Sequence, residues 1–293
     1  MTPRLVLLLL SLLLPACNDF LSERLIAPPN ALSPTRGSTS NHLSIPVGPP
    51  SATLAAWINE PSTPARGTIL LLHGFINDHS QVLPAAKALT AAGYRTVCID
   101  LRGHGQSTGE HLTFGVDDAR DLAQVTDYLQ ARNLCGKRVG VYGASYGAAT
   151  AILFAGRDAR VTAVVAVAPF SSLRAEAPYF GKHVLPVPGL FLSDADYRYV
   201  VNRMGRLAHF DPDDASPLAA IQETRAHVRL FHGDVDMIIP VEASRELAAA
   251  APGRTQLTIL RGKGHLAACF DVFGELREES RGWFDRFLAP ETR

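Results

Sequence analysis

The sequence has no excess of either charge and very few cysteines. Among its 293 residues, 28 basic side chains balance 28 acidic ones, so the formal net charge is zero. Without a positive field to attract phosphates, nucleic acid is not expected as a partner. The four cysteines are too few for a disulfide-built scaffold, and their spacing contains no CxxC pair that would hold zinc. Hydrophobic residues make up 47% of the chain, which excludes global disorder and indicates a globular protein with a substantial core.

The chain also lacks the short motifs that bind nucleotides and metals. It contains no G-x-x-x-x-G-K-[S/T] loop, and Gly103 and Gly105 lack the third glycine of a dinucleotide-binding fingerprint. No two histidines stand four residues apart with a glutamate between them, so no zinc ligand set is visible. We therefore expect a function that needs no cofactor and no metal.

The N-terminus has the pattern of an export signal. Arg4 supplies a positive charge, and the ten residues 5–14 are apolar except for Ser11. A helix of that length rises about 15 Å, roughly half the thickness of a bilayer's hydrocarbon core. It is too short to span a membrane, and residues 1–16 are predicted to be a signal peptide.

The end of this signal resembles a bacterial lipobox. Residues 14–17 read Leu-Pro-Ala-Cys, and the resemblance implies that Cys17 becomes lipidated and forms the new N-terminus. Such a protein would be anchored in the bacterial cell envelope and face the periplasm or the exterior. The alternative is ordinary secretion, with Cys17 an incidental thiol. Residues 17–40 are rich in Pro, Ser, Thr and Asn and are predicted to be a flexible tether.

Strands and helices alternate through residues 41–293. Leu43–Val47 and Ala52–Ile58 flank a Gly-Pro-Pro turn and predict an antiparallel hairpin, whereas apolar runs such as Thr68–Leu72 predict strands buried on both faces. The alternation predicts an α/β fold with a mostly parallel, twisted sheet of about eight strands and helices on both faces. Residues 171–225 interrupt it with prolines and aromatic residues, which predicts a small inserted helical cap. The alternative is one crossover helix with a long surface loop.

Residues 143–147 read Gly-Ala-Ser-Tyr-Gly, a G-x-S-x-G pattern at a predicted strand-to-helix turn. A sharp turn there would lift the Ser145 hydroxyl clear of the sheet, and the flanking glycines would relieve the crowding. A serine nucleophile needs a base and an orienting acid. His265 and Asp236 each follow a predicted strand, and the chain order Ser145, Asp236, His265 is the one expected of a hydrolase built on such a sheet. Asp234 is the competing candidate for the acid.

Two backbone N–H groups are candidates for binding an oxyanion. Phe75 lies in His73-Gly74-Phe75, directly after a predicted strand, so its N–H can face the site. The N–H of Tyr146, next to the nucleophile, would supply the second donor. His73 itself is predicted to be a structural hydrogen-bonding residue that shapes the loop.

Over about residues 68–288 these features resemble the α/β-hydrolase family. Residues 100–107 look like that family's D-x-R-G-x-G-x-S loop, which implies that Asp100 and Arg102 brace loops around the oxyanion hole. The likeness is closest to the branch that contains serine aminopeptidases, lysophospholipases and prolyl-oligopeptidase-like enzymes. It implies a serine hydrolase that cleaves a small-molecule or lipid ester through an acyl-enzyme intermediate. A peptidase or acyltransferase with the same triad, or a non-catalytic envelope binding protein, are the alternatives.

Two further expectations concern the substrate pocket and the pH dependence. The aromatic residues of the cap suit either an apolar acyl pocket or simple packing of the cap on the sheet; they are Tyr179, Phe180, Phe191, Tyr197, Tyr199 and Phe210. Because only a neutral imidazole accepts a proton, kcat/KM is expected to fall on acidification through about pH 6–7.

Overall fold

A computed structural model of the chain describes residues 18–31, 42–183, 192–271, 274 and 276–288. The predicted signal peptide (residues 1–16) and the predicted lipidation site Cys17 lie outside these ranges. Within the ranges, none of the helices has the length and apolar character needed to span a bilayer.

One eight-stranded sheet organises the described chain. Its strands run in the spatial order β1-β2-β4-β3-β5-β6-β7-β8. β2 pairs antiparallel with both β1 and β4, and every other pairing is parallel. The predicted α/β fold with a mostly parallel sheet and an opening hairpin is therefore confirmed. The strands are β1 (Leu43–Val47), β2 (Ala52–Asn59), β3 (Thr68–Leu72), β4 (Arg95–Ile99), β5 (Val139–Ala144), β6 (Val161–Val167), β7 (His227–Gly233) and β8 (Thr255–Leu260).

Helices cover both faces of the sheet, and two apolar clusters fill the space beneath them. In β3, Leu70 and Leu72 belong to one cluster while Ile69 and Leu71 belong to the other, because successive side chains of a strand point to opposite faces. The helices are α1 (residues 18–26), α2 (Leu83–Ala91), α3 (Val116–Ala131), α4 (Tyr146–Arg157), α5 (Leu173–His183), α6 (Asp194–Ala208), α7 (Pro217–Glu223), α8 (Val241–Ala250), α9 (His265–Cys269) and α10 (Arg277–Phe287).

The inserted cap is smaller than predicted. Its described part consists of α5 and α6, which pack on each other. α7 belongs to the main body instead, since it lies so close to α4 that a Cβ at Gly156 would be 2.9 Å from the Cβ of Ala220. Pro217 occupies the first turn of α7 behind the capping side chain of Ser216, so this proline begins a helix and does not mark a loop. Phe191, one of the predicted cap aromatics, lies outside the described residues.

The N-terminal segment differs from the predicted tether. Residues 18–26 form α1, which packs on α6 of the cap: the Ser22 hydroxyl lies 3.4 Å from the carbonyl of Val200, and Ile26 is buried. The apolar stripe of α1 is short, and a helix of this length is marginal without a tertiary partner. Composition alone therefore does not reveal it. Residues 32–41 lie outside the described ranges.

Candidate active site

Ser145 sits in a strained turn between β5 and α4. Its backbone has φ 54° and ψ −118°, which few side-chain-bearing residues adopt. The two glycines of the motif allow the turn to be this tight. A Cβ at Gly143 would lie 2.2 Å from the carbonyl oxygen of Gly147, and one at Gly147 would lie 2.5 Å from the carbonyl oxygen of His73. The turn leaves the Ser145 side chain half-buried at the start of α4.

The structure brings together the three residues that the sequence singled out. His265 begins α9 just after β8, and Asp236 follows β7. The Nδ1 of His265 lies 2.7 Å from Oδ2 of Asp236, and its Nε2 lies 2.9 Å from Oγ of Ser145. With Nδ1–H donated to the carboxylate, Nε2 carries the lone pair that faces the serine hydroxyl. The arrangement can therefore take a proton from Ser145.

Asp236 is held ionised and fixed in direction. Its Oδ1 accepts hydrogen bonds from the backbone N–H groups of Ile238 at 2.8 Å and Ile239 at 2.9 Å. Burial by itself would raise the pKa of Asp236, but hydrogen bonds from His232 and His265 hold that pKa well below its ordinary value. His232 is fully buried with Nε2 3.4 Å from Oδ2 of Asp236, a supporting contact that no local sequence signal predicts.

The competing acid, Asp234, has a different role. It is exposed, and its Oδ1 accepts a hydrogen bond of 2.6 Å from the backbone N–H of Gly262. That bond ties the loop after β7 to the loop after β8. Asp234 is thus the turn carboxylate, and Asp236 is the one that reaches the imidazole.

Cys269 adds a contact that the sequence analysis did not anticipate. One helical turn after His265, its Sγ lies 3.6 Å from the same Nε2 that faces Ser145. Burial of the imidazole works against protonation, yet the Cys269 sulfur and the Asp236 carboxylate outweigh it and raise the pKa of His265 above its ordinary value of 6.5. The pH at which kcat/KM falls on acidification is therefore expected to lie above the pH 6–7 of an unperturbed histidine.

The predicted oxyanion donors flank the serine. Within the described chain, neither the N–H of Phe75 nor that of Tyr146 has a backbone or side-chain acceptor. The loop that carries Phe75 is fixed by His73, whose Nε2 accepts from the N–H of Leu101 at 3.0 Å and whose Nδ1 therefore donates to the carbonyl of Gly74 at 2.8 Å. His73 thus has the structural contacts expected of it.

Ion pairs and hydrogen bonds brace the loops behind these donors. The guanidinium of Arg102 forms two hydrogen bonds of 2.8 Å with the carboxylate of Asp121, and both side chains are buried. Asp118 accepts from the Tyr146 hydroxyl at 2.8 Å, which anchors the residue after the nucleophile. The bracing role that the family resemblance implies for Arg102 agrees with these contacts.

Asp100 lies in the one cluster of the described residues whose atoms could share a cation, together with Asp78 and His79. Its carboxylate oxygens are already occupied, however. Oδ1 accepts from the backbone N–H of His79 at 2.6 Å, and Oδ2 accepts from that of Gln106 at 2.7 Å. These bonds account for the buried carboxylate, so we assign Asp100 a structural role.

A pocket with about 780 Å³ of open space lies beside Ser145. Apolar side chains from the main body, the cap and α1 form most of its wall, among them Phe75, Phe180 and Tyr197. Two other cap aromatics do not line the pocket: Tyr199 is exposed, and Phe210 is buried in the cluster between the cap and α1. The cap aromatics thus divide between the pocket wall and the packing of the cap, and an acyl chain as the occupant of the pocket stays a prediction.

Glu176 contributes a carboxyl group to the pocket wall. In the described chain its Oε1 is buried without a hydrogen-bond partner. Burial and the nearby charge of Asp236 raise the pKa of Glu176 to about 9, so the group is neutral at pH 7. Sequence reasoning missed it because nothing local distinguishes this glutamate from a surface residue.

Residues 63–213, slightly more than half of the 293, match the family described as "Serine aminopeptidase, S33". The match includes Phe75 and Ser145, whereas Asp236 and His265 lie beyond its end.

Individual relatives are distant. The Bacillus subtilis protein YqkD is 28% identical over 208 residues, which cover 68% of this chain and 64% of that protein. The chain thus spans less than two thirds of this relative's length. Monoacylglycerol lipase of Mycolicibacterium smegmatis is 28% identical over 221 residues, covering 64% of this chain and 76% of that protein. Among solved structures, an esterase of Pyrococcus furiosus superposes with a TM-score of 0.67 at 20% identity, covering 85% of this chain and 93% of the esterase, and so shares the fold.

Proposed function

This chain belongs to the serine aminopeptidase S33 family of α/β-hydrolases, and from that premise we propose that it is a serine hydrolase that cleaves carboxylic esters through an acyl-enzyme. The observation that carries the proposal is the continuous hydrogen-bonded relay from Asp236 through His265 to Ser145. A purely binding protein needs neither this relay nor a strained serine at the mouth of a pocket. The names of the lipase and esterase relatives favour an ester over other acyl substrates.

The geometry of the site supports the following mechanism. His265 takes the Ser145 proton through Nε2 while Oγ attacks the ester carbonyl, and Asp236 stabilises the imidazolium. The N–H groups of Phe75 and Tyr146 bind the oxyanion of the tetrahedral intermediate. His265 then protonates the leaving alcohol, which leaves the acyl group on Ser145. Water, deprotonated by the same imidazole, releases the acid and restores the serine.

Hydrolysis of a series of p-nitrophenyl esters tests this proposal. We expect turnover by the wild type and a loss of about 10³-fold or more in kcat for Ser145→Ala, since removal of the nucleophile leaves only binding and oxyanion stabilisation. Equal rates for the two proteins would contradict the proposal. Failure of a fluorophosphonate probe to label either protein would favour the binding-protein alternative.

The name of the family makes a peptidase the second candidate. Aminoacyl p-nitroanilides, measured beside the matching esters, separate the two. If kcat/KM is higher for the anilides than for the esters and depends on Ser145, the protein is a peptidase. A product carrying the acyl group on an added alcohol would instead identify an acyltransferase.

For the cell-envelope location, we propose that Cys17 is lipidated and anchors the mature protein. The support is the lipobox-like sequence at the end of the predicted signal peptide. Radiolabelled palmitate should enter the wild type expressed in a bacterial host and should not enter Cys17→Ser. Release of unlabelled wild-type protein into the periplasm or medium would favour ordinary secretion.

A further inference from the structure

The helix α1 makes a specific interface with the cap. Asn18 donates from Nδ2 to Oδ1 of Asp196 at 2.9 Å, and the guanidinium of Arg203 pairs with Asp19 at 3.0 Å and with Glu23 at 2.9 Å. Asp19 and Glu23 lie four residues apart and therefore share one face of the helix. A single arginine on α6 can bridge both, which fixes the rotation of α1 about its own axis.

The end of the same segment is attached to the main body. The carbonyl of Ile26 accepts from the N–H of Leu112 at 2.9 Å. The Asn30 side chain donates to the carbonyl of Ser107 at 2.6 Å, and its N–H donates to that of Gly103 at 3.3 Å. Residues 18–30 thus bridge the cap and the loops beside the candidate oxyanion hole, and α1 has a defined position over the pocket.

With that rotation fixed, two leucines of α1 face the pocket. Leu21 and Leu25 are four residues apart, and both line the same cavity as Ser145. Opposite them stand apolar side chains of the cap and the main body, including Val200, Met204 and Phe114. Phe20, their neighbour on α1, points away and is 69% exposed. The leucines lie outside residues 63–213, so the family match does not include this part of the wall.

We propose that α1 forms the outer wall of the acyl pocket and that Leu21 and Leu25 determine the length of the apolar acyl chain that the enzyme accepts. This inference rests on the proposed ester hydrolysis. It specifies the substrates further, as esters of unbranched aliphatic acids. Each methylene transferred from water into an apolar pocket favours binding about fourfold, so a shorter pocket penalises long chains selectively.

The test fills the pocket from the α1 side. Leu21→Trp should lower the ratio of kcat/KM for p-nitrophenyl dodecanoate to kcat/KM for the butanoate at least tenfold relative to wild type. Phe20→Trp is the matched control: it adds the same side chain to the same helix on its exposed side, and the wild-type chain-length profile should persist. Leu21→Phe, a smaller increase in volume, replaces Leu21→Trp if melting curves show that the tryptophan variant is unfolded. An unchanged profile in a folded Leu21 variant overturns the proposal.

A binding measurement separates this proposal from the proposed hydrolysis. In a Ser145→Ala background, calorimetric titration with dodecanoate should show binding that Leu21→Trp weakens at least tenfold and Phe20→Trp does not. If the wild type turns over no ester but this binding pattern appears, the proposal of ester hydrolysis is wrong and the proposal for the pocket wall is supported. If esters are turned over but dodecanoate binds both variants equally, the proposal for the pocket wall is wrong and ester hydrolysis is supported.

Discussion

Asp118 lies directly beneath the candidate oxyanion hole, and its ionisation lowers the stability of the folded protein. The carboxylate is buried, accepts from the Tyr146 hydroxyl at 2.8 Å and accepts from the N–H of Arg102 at 3.2 Å. Burial, followed by the charge of Asp121, raises the pKa of Asp118 from 3.8 to about 6. The carboxyl group of Asp118 therefore binds its proton more tightly in the folded protein than in the unfolded chain.

The size and sign of the effect follow from that shift. Each pKa unit corresponds to about 1.4 kcal/mol, so at pH 7 the ionised Asp118 lowers the free energy of unfolding by about 3 kcal/mol. This destabilisation is absent at pH values below the pKa that Asp118 has in the unfolded chain. It grows as the pH rises from there through the pKa that Asp118 has in the folded protein. Asp118→Asn removes the charge and keeps the shape. After about 1 kcal/mol is deducted for the weaker hydrogen bond to Tyr146, the variant should be more stable than wild type by about 2 kcal/mol at pH 7.

Urea unfolding at pH 4 and pH 7 measures this directly. The advantage of Asp118→Asn should be present at pH 7 and lost at pH 4, where the wild-type carboxyl is protonated. Glu110→Gln, which removes the same charge from an exposed side chain, should change the free energy of unfolding by less than about 0.5 kcal/mol at either pH. A variant at residue 118 that is less stable than wild type at pH 7 would refute the electrostatic reasoning.

Three further substitutions probe the site. Gly147→Ala places a Cβ 2.5 Å from two backbone carbonyl oxygens, so thermal melting should show a destabilisation of about 1–3 kcal/mol and esterase activity should be lost. Because the pKa of His265 is raised, the acid limb of kcat/KM against pH should lie above 6.5, and Cys269→Ala should move it downward. Asp236→Asn should lower kcat about 10³–10⁴-fold with little change in KM, because the amide no longer holds the imidazole in the required tautomer.

Matched variants control these experiments. A Cβ at Gly253 would contact nothing within 4 Å, so Gly253→Ala should melt like wild type. Asp234→Asn should retain kcat within threefold, since Asp234 holds a loop and does not touch the imidazole. A large loss of kcat in Asp234→Asn, an intact Gly147→Ala enzyme, or a pH profile unmoved by Cys269→Ala would each contradict the corresponding assignment.

Sequence alone predicts the sheet and the relay because both depend on local signals. The strand-turn-helix pattern around Ser145 and the strand ends before Asp236 and His265 can be identified within a few residues each. Parallel strands then place their carboxyl ends at one edge of the sheet, so three distant segments meet without knowledge of tertiary contacts. The hydrogen bonds between them follow from the fold.

The features of the site that the sequence does not predict depend on packing between distant segments. α1 is too short to be recognised without α6, and its leucines face a pocket that exists only when the cap is in place. Glu176 and Cys269 resemble an ordinary surface glutamate and an ordinary buried cysteine. Their significance arises from burial and from proximity to His265 and Asp236, which no residue spacing shows.

The most direct test of the central claim is detection of the acyl-enzyme itself. Wild-type protein mixed with excess p-nitrophenyl butanoate and quenched in acid within milliseconds should yield one proteolytic peptide, containing Ser145, with the added mass of a butanoyl group. His265→Ala, in which Ser145 lacks its base, should yield at least 10²-fold less of it in the same time. Ester turnover by wild type with the butanoyl group on another residue would contradict the account.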